Sequence, residues 1–415
     1  MTAPVDEGQA PGPFAPLGEP NFRRYFAGQV VSNVGTWFQV LAQALLVVEL
    51  AGTGTALGVV VALQWLPTLA LGSVAGAVVD RREPRVVLLA TNTVAGALAV
   101  VLTGVTATGH VTTQWLYGLS LALGLVLAFD RPAAQIVPVE LVPGPLVPRA
   151  LGINSMIQSA SRLVGPAVAG LAYAAWGPAW CFGINAASYG AAVAVLAALD
   201  RGALHPRPRP AAARGQVRAG LAYVARHRAV RSVLVANAVV GLLAVNFLVV
   251  ITAAVQLTFG GGELAVGVAH GANAAGALVG GVVVGGALAR LSRRVDRVCL
   301  ALGAALAVNA LAPTLPAFVL AGPALGLAWI AYQTTVLDVC RRLVPPEMLG
   351  RVVGLVALGT FGTTPFGSVI VGAVIDAASP RAALALGAAA CVAAAVVVRP
   401  ALVPLQGTDH MTSDR

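Results

Sequence analysis

The stretch Gly76-Ala77-Val78-Val79-Asp80-Arg81-Arg82-Glu83-Pro84-Arg85 decides the architecture of this 415-residue chain. An apolar run over residues 56–79 stops in a dense cluster of charge, and a second apolar run follows at once over 86–108. Each is longer than the ~20 residues of helix that cross a bilayer core of about 30 Å. Outward from this pair the alternation repeats. Twelve runs are expected as spans, at 25–49, 56–79, 86–108, 113–129, 150–175, 179–199, 232–257, 264–289, 298–312, 315–338, 351–375 and 381–398. Prolines inside runs, such as Pro67, Pro166 and Pro365, are compatible with spans because neighbouring helices satisfy the freed carbonyls.

Composition agrees. The chain is 58% hydrophobic and 10% charged, with mean hydropathy +0.84, whereas soluble domains carry about a quarter charged residues. That excludes a soluble enzyme, a DNA-binding module or a disordered protein. All 26 basic residues are arginine. Without lysine there is no P-loop ATPase lysine and no Schiff-base or pyridoxal anchor, so neither cofactor nor enzymatic activity is expected. The four cysteines, Cys181, Cys299, Cys340 and Cys391, lie in or beside apolar runs and read as buried small apolar residues.

Arginine placement orients the spans. With the N-terminus in the cytoplasm, 24 arginines fall on the cytoplasmic side, Arg381 falls outside, and Arg162 lies within a span. That is the positive-inside pattern, and it accounts for the +10 net charge without a nucleic-acid partner. Both termini are expected in the cytoplasm of a plasma-membrane protein.

The chain also repeats. At an offset of 202 residues, Ala122-Leu123-Gly124-Leu125 matches Ala324-Leu325-Gly326-Leu327, and Leu141-Val142-Pro143 matches Leu343-Val344-Pro345. Arg149, Gly152, Gly165 and Gly170 fall on Arg351, Gly354, Gly367 and Gly372. An offset of six spans makes the repeats parallel. The expected organisation is a cytoplasmic tail (1–20), a six-helix half (21–199), a basic linker (200–231), a second half (232–399) and a tail (400–415). Within the linker, Gln216–Arg231 has the pattern of an amphipathic helix lying on anionic lipid; a partner-binding site is the alternative.

Twelve spans in two parallel halves around a basic loop resemble the major facilitator superfamily. Residues 76–85 are similar to its signature loop, departing at Glu83 and Pro84, and Gly286–Arg294 is a degenerate echo in the second half. Ser161-Arg162-Leu163-Val164-Gly165-Pro166, continuing to Gly170, resembles the Gly-Pro motif of exporters. Asp130-Arg131-Pro132 with Asn154 and Arg162 resembles the drug:proton antiporter branch that includes enterobactin and macrolide exporters. The resemblance implies a cytoplasmic gate of Gly76, Asp80, Arg81, Arg85, Asp130 and Arg351. Asp80 would dock at the helix start near Gly350–Arg351, where the helix dipole favours an anion, and Arg81 would meet Asp130.

Arg162 is expected about a dozen residues into span 5, roughly 18 Å deep. It either anchors an anion or coupling acid, or bonds carbonyls freed by Pro166. Gly267/Gly271, Gly276/Gly280 and Gly281/Gly285 in span 8 are spaced for close helix approach, and with Gly165 and Gly170 suggest a smooth interface between spans 5 and 8. Polar residues Gln29, Asn33, Thr36 and Gln43 share one face of span 1. With Asn237, Asn246, Tyr332 and Gln333 they are candidates to line a path for an amphiphilic molecule; interhelical hydrogen bonding is the alternative. Glu49, His270, Asp338 and Asp376 are candidates for proton coupling. The expectation is an all-α transporter, monomeric, exporting a small organic compound against proton influx. An importer or uniporter of the same fold, or a membrane sensor or scaffold, is the alternative.

Overall fold

The computed structural model describes residues 12–205, 216–284 and 294–406. The expected tail over 1–11, linker residues 206–215, the second-half echo up to residue 293 and the tail over 407–415 lie outside the described residues. The chain is helical almost throughout, in the order α1 (Pro20–Ala51), α2 (Gly54–Arg81), α3 (Pro84–Ala107), α4 (Thr113–Glu140), α5 (Val147–Trp176), α6 (Pro178–Ala197), α7 (Gln216–Arg226), α8 (Arg228–Leu243), α9 (Phe247–Ala253), α10 (Glu263–Val284), α11 (Val295–Ala310), α12 (Leu315–Leu343), α13 (Pro346–Phe361), α14 (Thr364–Ala377) and α15 (Pro380–Gln406).

Among the described residues, ten stretches are long and apolar enough to cross a membrane. The others expected, α5 and α11, fall outside that set. α11 has 16 residues, short of the usual ~20, and α5 carries Asn154, Ser155, Gln158 and Arg162 among its apolar residues. Two expected spans are broken rather than continuous. The seventh divides at Asn246, whose Nδ2 donates to the carbonyl of Leu242 at 2.8 Å and satisfies a group the break sets free. The eleventh divides between Phe361 and Thr364, because Pro365 has no N–H to give and its ring crowds the preceding turn.

Helix starts carry the repeat into local geometry. Thr112 and Thr314, 202 residues apart, each accept the N–H of the third residue on, at 3.4 Å, and cap α4 and α12. Gly124 and Gly326, a second such pair, let backbones touch: a Cβ on the first would strike the Gln64 carbonyl of α2, and on the second the Asn273 carbonyl of α10. Helices α1–α6 pack mainly on one another, and α8–α15 do likewise. The two sets meet along two principal seams, α2 with α14 and α5 with α10.

Exposed Val and Leu side chains, among them Val100, Val164, Leu320 and Val396, cover the outside of the bundle. Trp115, Trp176 and Trp180 are exposed near the turns at the arginine-poor end, the position of an interfacial aromatic belt. The four cysteines are all buried and unpaired. Arg381, alone at that end, donates to the Ala312 carbonyl at 2.8 Å and ties α15 to the turn after α11. Helix α7 takes the amphipathic pattern only to Arg226. Its Gly220 lies against Arg351 and Leu355 of α13 and its Val224 is buried, so part of the face expected on lipid is covered by protein.

Candidate functional site

The two seams are tight at the arginine-poor end. On the first, the Asp376 carboxylate at the end of α14 accepts the backbone N–H groups of Gly54 and Thr55, which open α2, at 2.6 and 2.9 Å. Those N–H groups have no partner within their own helix, and the positive end of the helix dipole favours the anion. One turn deeper the backbones touch: a Cβ on Gly58 would strike the carbonyl of Ser368. On the second seam, a Cβ on Gly267 would lie 2.7 Å from the Pro166 carbonyl oxygen, and one on Gly170 would lie 2.9 Å from that of Glu263. Gly170 and Gly372, partners in the repeat, thus each serve one seam.

Both seams loosen toward the arginine-rich end. On α2, Gly58, Trp65, Gly72 and Gly76 share one face by helical spacing. Gly58 touches α14, and Trp65 stacks on Phe361 with ring centroids 6.2 Å apart. A Cβ on Gly72 or Gly76 would meet nothing within 4 Å. On α10, a Cβ on Gly271 would stand 3.6 Å from Ala167, an ordinary contact, and one on Gly281 would meet nothing. The helices therefore part beyond the Trp65–Phe361 stack, where the Arg131 guanidinium stands 3.8 Å from the Trp65 ring centroid. Neither ring was a candidate from sequence, and Arg131 entered only as part of the Asp130-Arg131-Pro132 motif, since a stack of residues 65, 131 and 361 has no local signature.

Arg162 stands about midway along α5, on the arc between Gly165, which meets Trp37 of α1, and Gly170, which meets α10. Its side chain is exposed. It forms no hydrogen bond or ion pair among the described residues, so the carbonyls near Pro166 do not hold it. Gly165, expected at the α5–α10 interface, packs against Trp37 instead.

The expected gate is divided. Gly76, Asp80 and Arg81 lie along the parted end of α2, the two charged side chains exposed. Asp130 accepts from Thr91 at 2.6 Å and Asn92 at 3.1 Å, both on α3. Arg351 donates to the Met348 sulfur at 2.9 Å. Arg85 is buried, and its Nε and Nη2 donate to the carbonyls of Leu196 and Ala197 at 2.7 and 2.8 Å. It closes the end of α6 where that helix leaves carbonyls unpaired, a fixed tie within the first set of helices.

The path-lining candidates separate in the same way. Asn33 bonds to Gln29 of its own helix at 2.8 Å, and Thr36 stays exposed. Gln43 donates to Ser120 at 2.6 Å and accepts from Gln64 at 3.1 Å. Asn237 donates to the Val356 carbonyl at 2.9 Å and accepts from the Tyr332 hydroxyl at 3.3 Å. Gln43, Asn237, Asn246 and Tyr332 are all buried; Gln43, Asn237 and Tyr332 bond across helices, Asn246 bonds within its own span, and Gln333 is half-buried. An amide withdrawn from water inside an apolar bundle needs such partners.

The titratable candidates are also engaged. Glu49 accepts from the Tyr173 hydroxyl at 2.8 Å, and His270 bonds Thr252 at 3.1 Å. Asp338 pairs with Arg342 one turn on at 2.9 Å, and Asp376 closes the first seam.

A divided bundle with paired seams, sealed at one end, has relatives in sequence and in fold. The profile described as transmembrane secretion effector matches residues 11–415. The chain belongs to this family. The transmembrane secretion effector fold here is similar to that of the nucleoside transporter NupG, with a TM-score of 0.73 at 11% identity over 92% of this chain and 99% of that one. A bacterial homologue of the iron transporter ferroportin in its inward-facing state gives 0.69 at 16% identity, over 92% and 98%. In its outward-facing state that homologue gives 0.58. Macrolide efflux protein A of Streptococcus pyogenes is 29% identical over 156 residues, 37% of this chain and 38% of that protein. The match thus spans well under half the length of this curated relative. Family and fold are those of multi-pass membrane transporters of the major facilitator type, not of enzymes.

Proposed function

We propose that this member of the transmembrane secretion effector family is a secondary active transporter. It carries a small amphiphilic organic compound across the plasma membrane by alternating access, as export coupled to proton influx. The observation that carries this reading is the contrast between the ends of the seams, with backbone contact at Gly58 and Gly267 and open space at Gly72, Gly76 and Gly281. Rocking about the Trp65–Phe361 level would close one end as it opens the other. The closer likeness to the inward-facing ferroportin homologue than to its outward-facing form supports assigning the open end to the cytoplasm.

In this reading twelve crossings form two six-helix halves, 21–199 and 232–399, with both termini and the 200–231 linker cytoplasmic. The repeat-related glycine pairs support that division. The exposed Leu221 and the linker arginines meet lipid while α7 rides on α13. The unit is a monomer. Asp80 and Arg81 lock the cytoplasmic end in the opposite state, against the start of α13 and against Asp130. Export, rather than import, is supported by the macrolide efflux relative. Among the coupling candidates, Asp338 pairs with Arg342 one turn on and Asp376 seals the seam at the start of α2, leaving Glu49 and His270 as proton carriers.

The test is flux of amphiphilic compounds, macrolides first, in proteoliposomes with and without a pH gradient. Accumulation driven by an imposed gradient and abolished by its collapse is expected. Gradient-independent equilibration would establish a uniporter, and no flux with any compound would leave the sensor reading.

A further inference from the structure

Where the seams part, Arg162 is a cation with no acid and no carbonyl partner among the described residues. Arg162 sits midway along α5, at the level where α5 and α10 begin to part, and its side chain is exposed. The other mid-bundle arginine, Arg131, is spent on the Trp65 ring, and the acid beside it, Asp130, is held by Thr91 and Asn92. An arginine at bilayer depth ordinarily pairs with an acid or with backbone carbonyls, or faces water and substrate. Here the first two are missing among the described residues. Exposure within the parted seam supplies the third.

We infer that Arg162 is the recognition residue for an anionic group on the transported compound: a carboxylate, sulfonate, phosphate ester or ionised phenol carried on an apolar or aromatic body. This rests on the transport reading above and narrows its cargo. The guanidinium offers a planar fork of donors matched to such oxyanions. The flat apolar part has a surface to meet, because Trp37 lies against Gly165, one turn of α5 from Arg162. Arginines at the arginine-rich end, the exposed Arg341 among them, add a field that draws anions toward it. That charge also follows from topology, so Arg162 alone carries the assignment. When that end closes, the guanidinium loses water, and a bound anion replaces what is lost.

The experiment uses the purified full chain in a neutral detergent, with naphthalene-2-sulfonate and trimethyl(naphthalen-2-yl)ammonium as probes matched in body and opposite in charge. Binding is read by titration calorimetry against empty micelles. The sulfonate is expected to bind, at least tenfold more tightly than the ammonium. Arg162→Gln should weaken the sulfonate at least tenfold and leave the ammonium unchanged or tighter, while Arg162→Lys should recover part of the loss. An unchanged melting temperature would show that the variants fold. Should Arg162→Gln not fold, the wild-type charge preference and the Arg162→Lys affinity still decide. No sulfonate binding, equal binding of both probes, or sulfonate binding indifferent to Arg162→Gln overturns the inference. Proton-linked flux of a neutral or cationic compound alongside such a result would leave the transport reading standing. Selective sulfonate binding without flux would do the reverse.

Discussion

The carboxylate of Asp376 lies 2.6 Å from the backbone nitrogen of Gly54, a residue 322 positions earlier in the chain. A side chain that ends one helix thereby supplies the cap of another. Because the two belong to different sets of helices, the proposed opening of the arginine-poor end would break the contact.

Replacing that carboxylate should loosen the seal. A carboxylate at an exposed helix N-terminus contributes about 0.3–1 kcal/mol, so Asp376→Asn should shift the closed-to-open ratio roughly two- to fivefold toward opening. The measurement is the rate at which an impermeant thiol reagent, added from the arginine-poor side, labels a cysteine placed at Thr55. An unchanged rate would show that the glycine contacts alone keep this end shut.

Bulk at the seams should act more strongly than loss of charge. A Cβ on Gly267 would lie 2.7 Å from the Pro166 carbonyl, so Gly267→Val should hold the arginine-poor end open. Spin-label distances between the outer ends of α5 and α10 should lengthen. Gly124→Val, whose side chain would meet α2 within the same helix set, should lower the melting temperature without lengthening those distances. If both variants only destabilise, α5–α10 is a static interface.

Arg85 distinguishes a gate from a brace. Its two bonds to the end of α6 are charge-assisted, each worth about 1.5–3 kcal/mol. Arg85→Gln should therefore lower the melting temperature by several degrees and leave cysteine accessibility at both mouths as it was. A change in accessibility at unchanged stability would return Arg85 to the gate.

Asp80 should behave in the opposite way. Asp80→Asn is expected to favour the state open at the arginine-rich end, read as faster labelling of cysteines placed along α2 near Gly72 and Gly76, with little change in melting temperature. Identical labelling rates in wild type and variant would refute the proposed lock on α13.

Much of the architecture was legible in the chain itself. Arginine clusters separated by apolar runs define helices and their order, because hydrocarbon admits only helices or closed barrels and runs of about 20 apolar residues suit helices. Among the glycines repeated at offset 202, Gly124, Gly165 and Gly170 and their partners mark close contacts, whereas Gly152 and Gly354 meet nothing, and Gly165 faces α1 rather than α10. Asp376 was visible as a charge ending a span, but nothing nearby in sequence announced that its partner is the start of α2. Likewise the amide stripe of span 1 was real as a pattern. Whether Gln43 lined a path or joined helices depended on Ser120 and Gln64 arriving beside it.

Local sequence thus determined which segments are helices, where they begin and which of their faces are small or polar, since those properties follow from burial, capping and the 3.6-residue period. Tertiary structure alone decided how the polar groups are spent. Arg85, Asp130 and Asn237 found partners across helices, whereas Arg162 did not, because pairing depends on which side chains the packing brings within about 3 Å. That distance is set by the meeting of helices far apart in the chain, and no spacing within one helix encodes it.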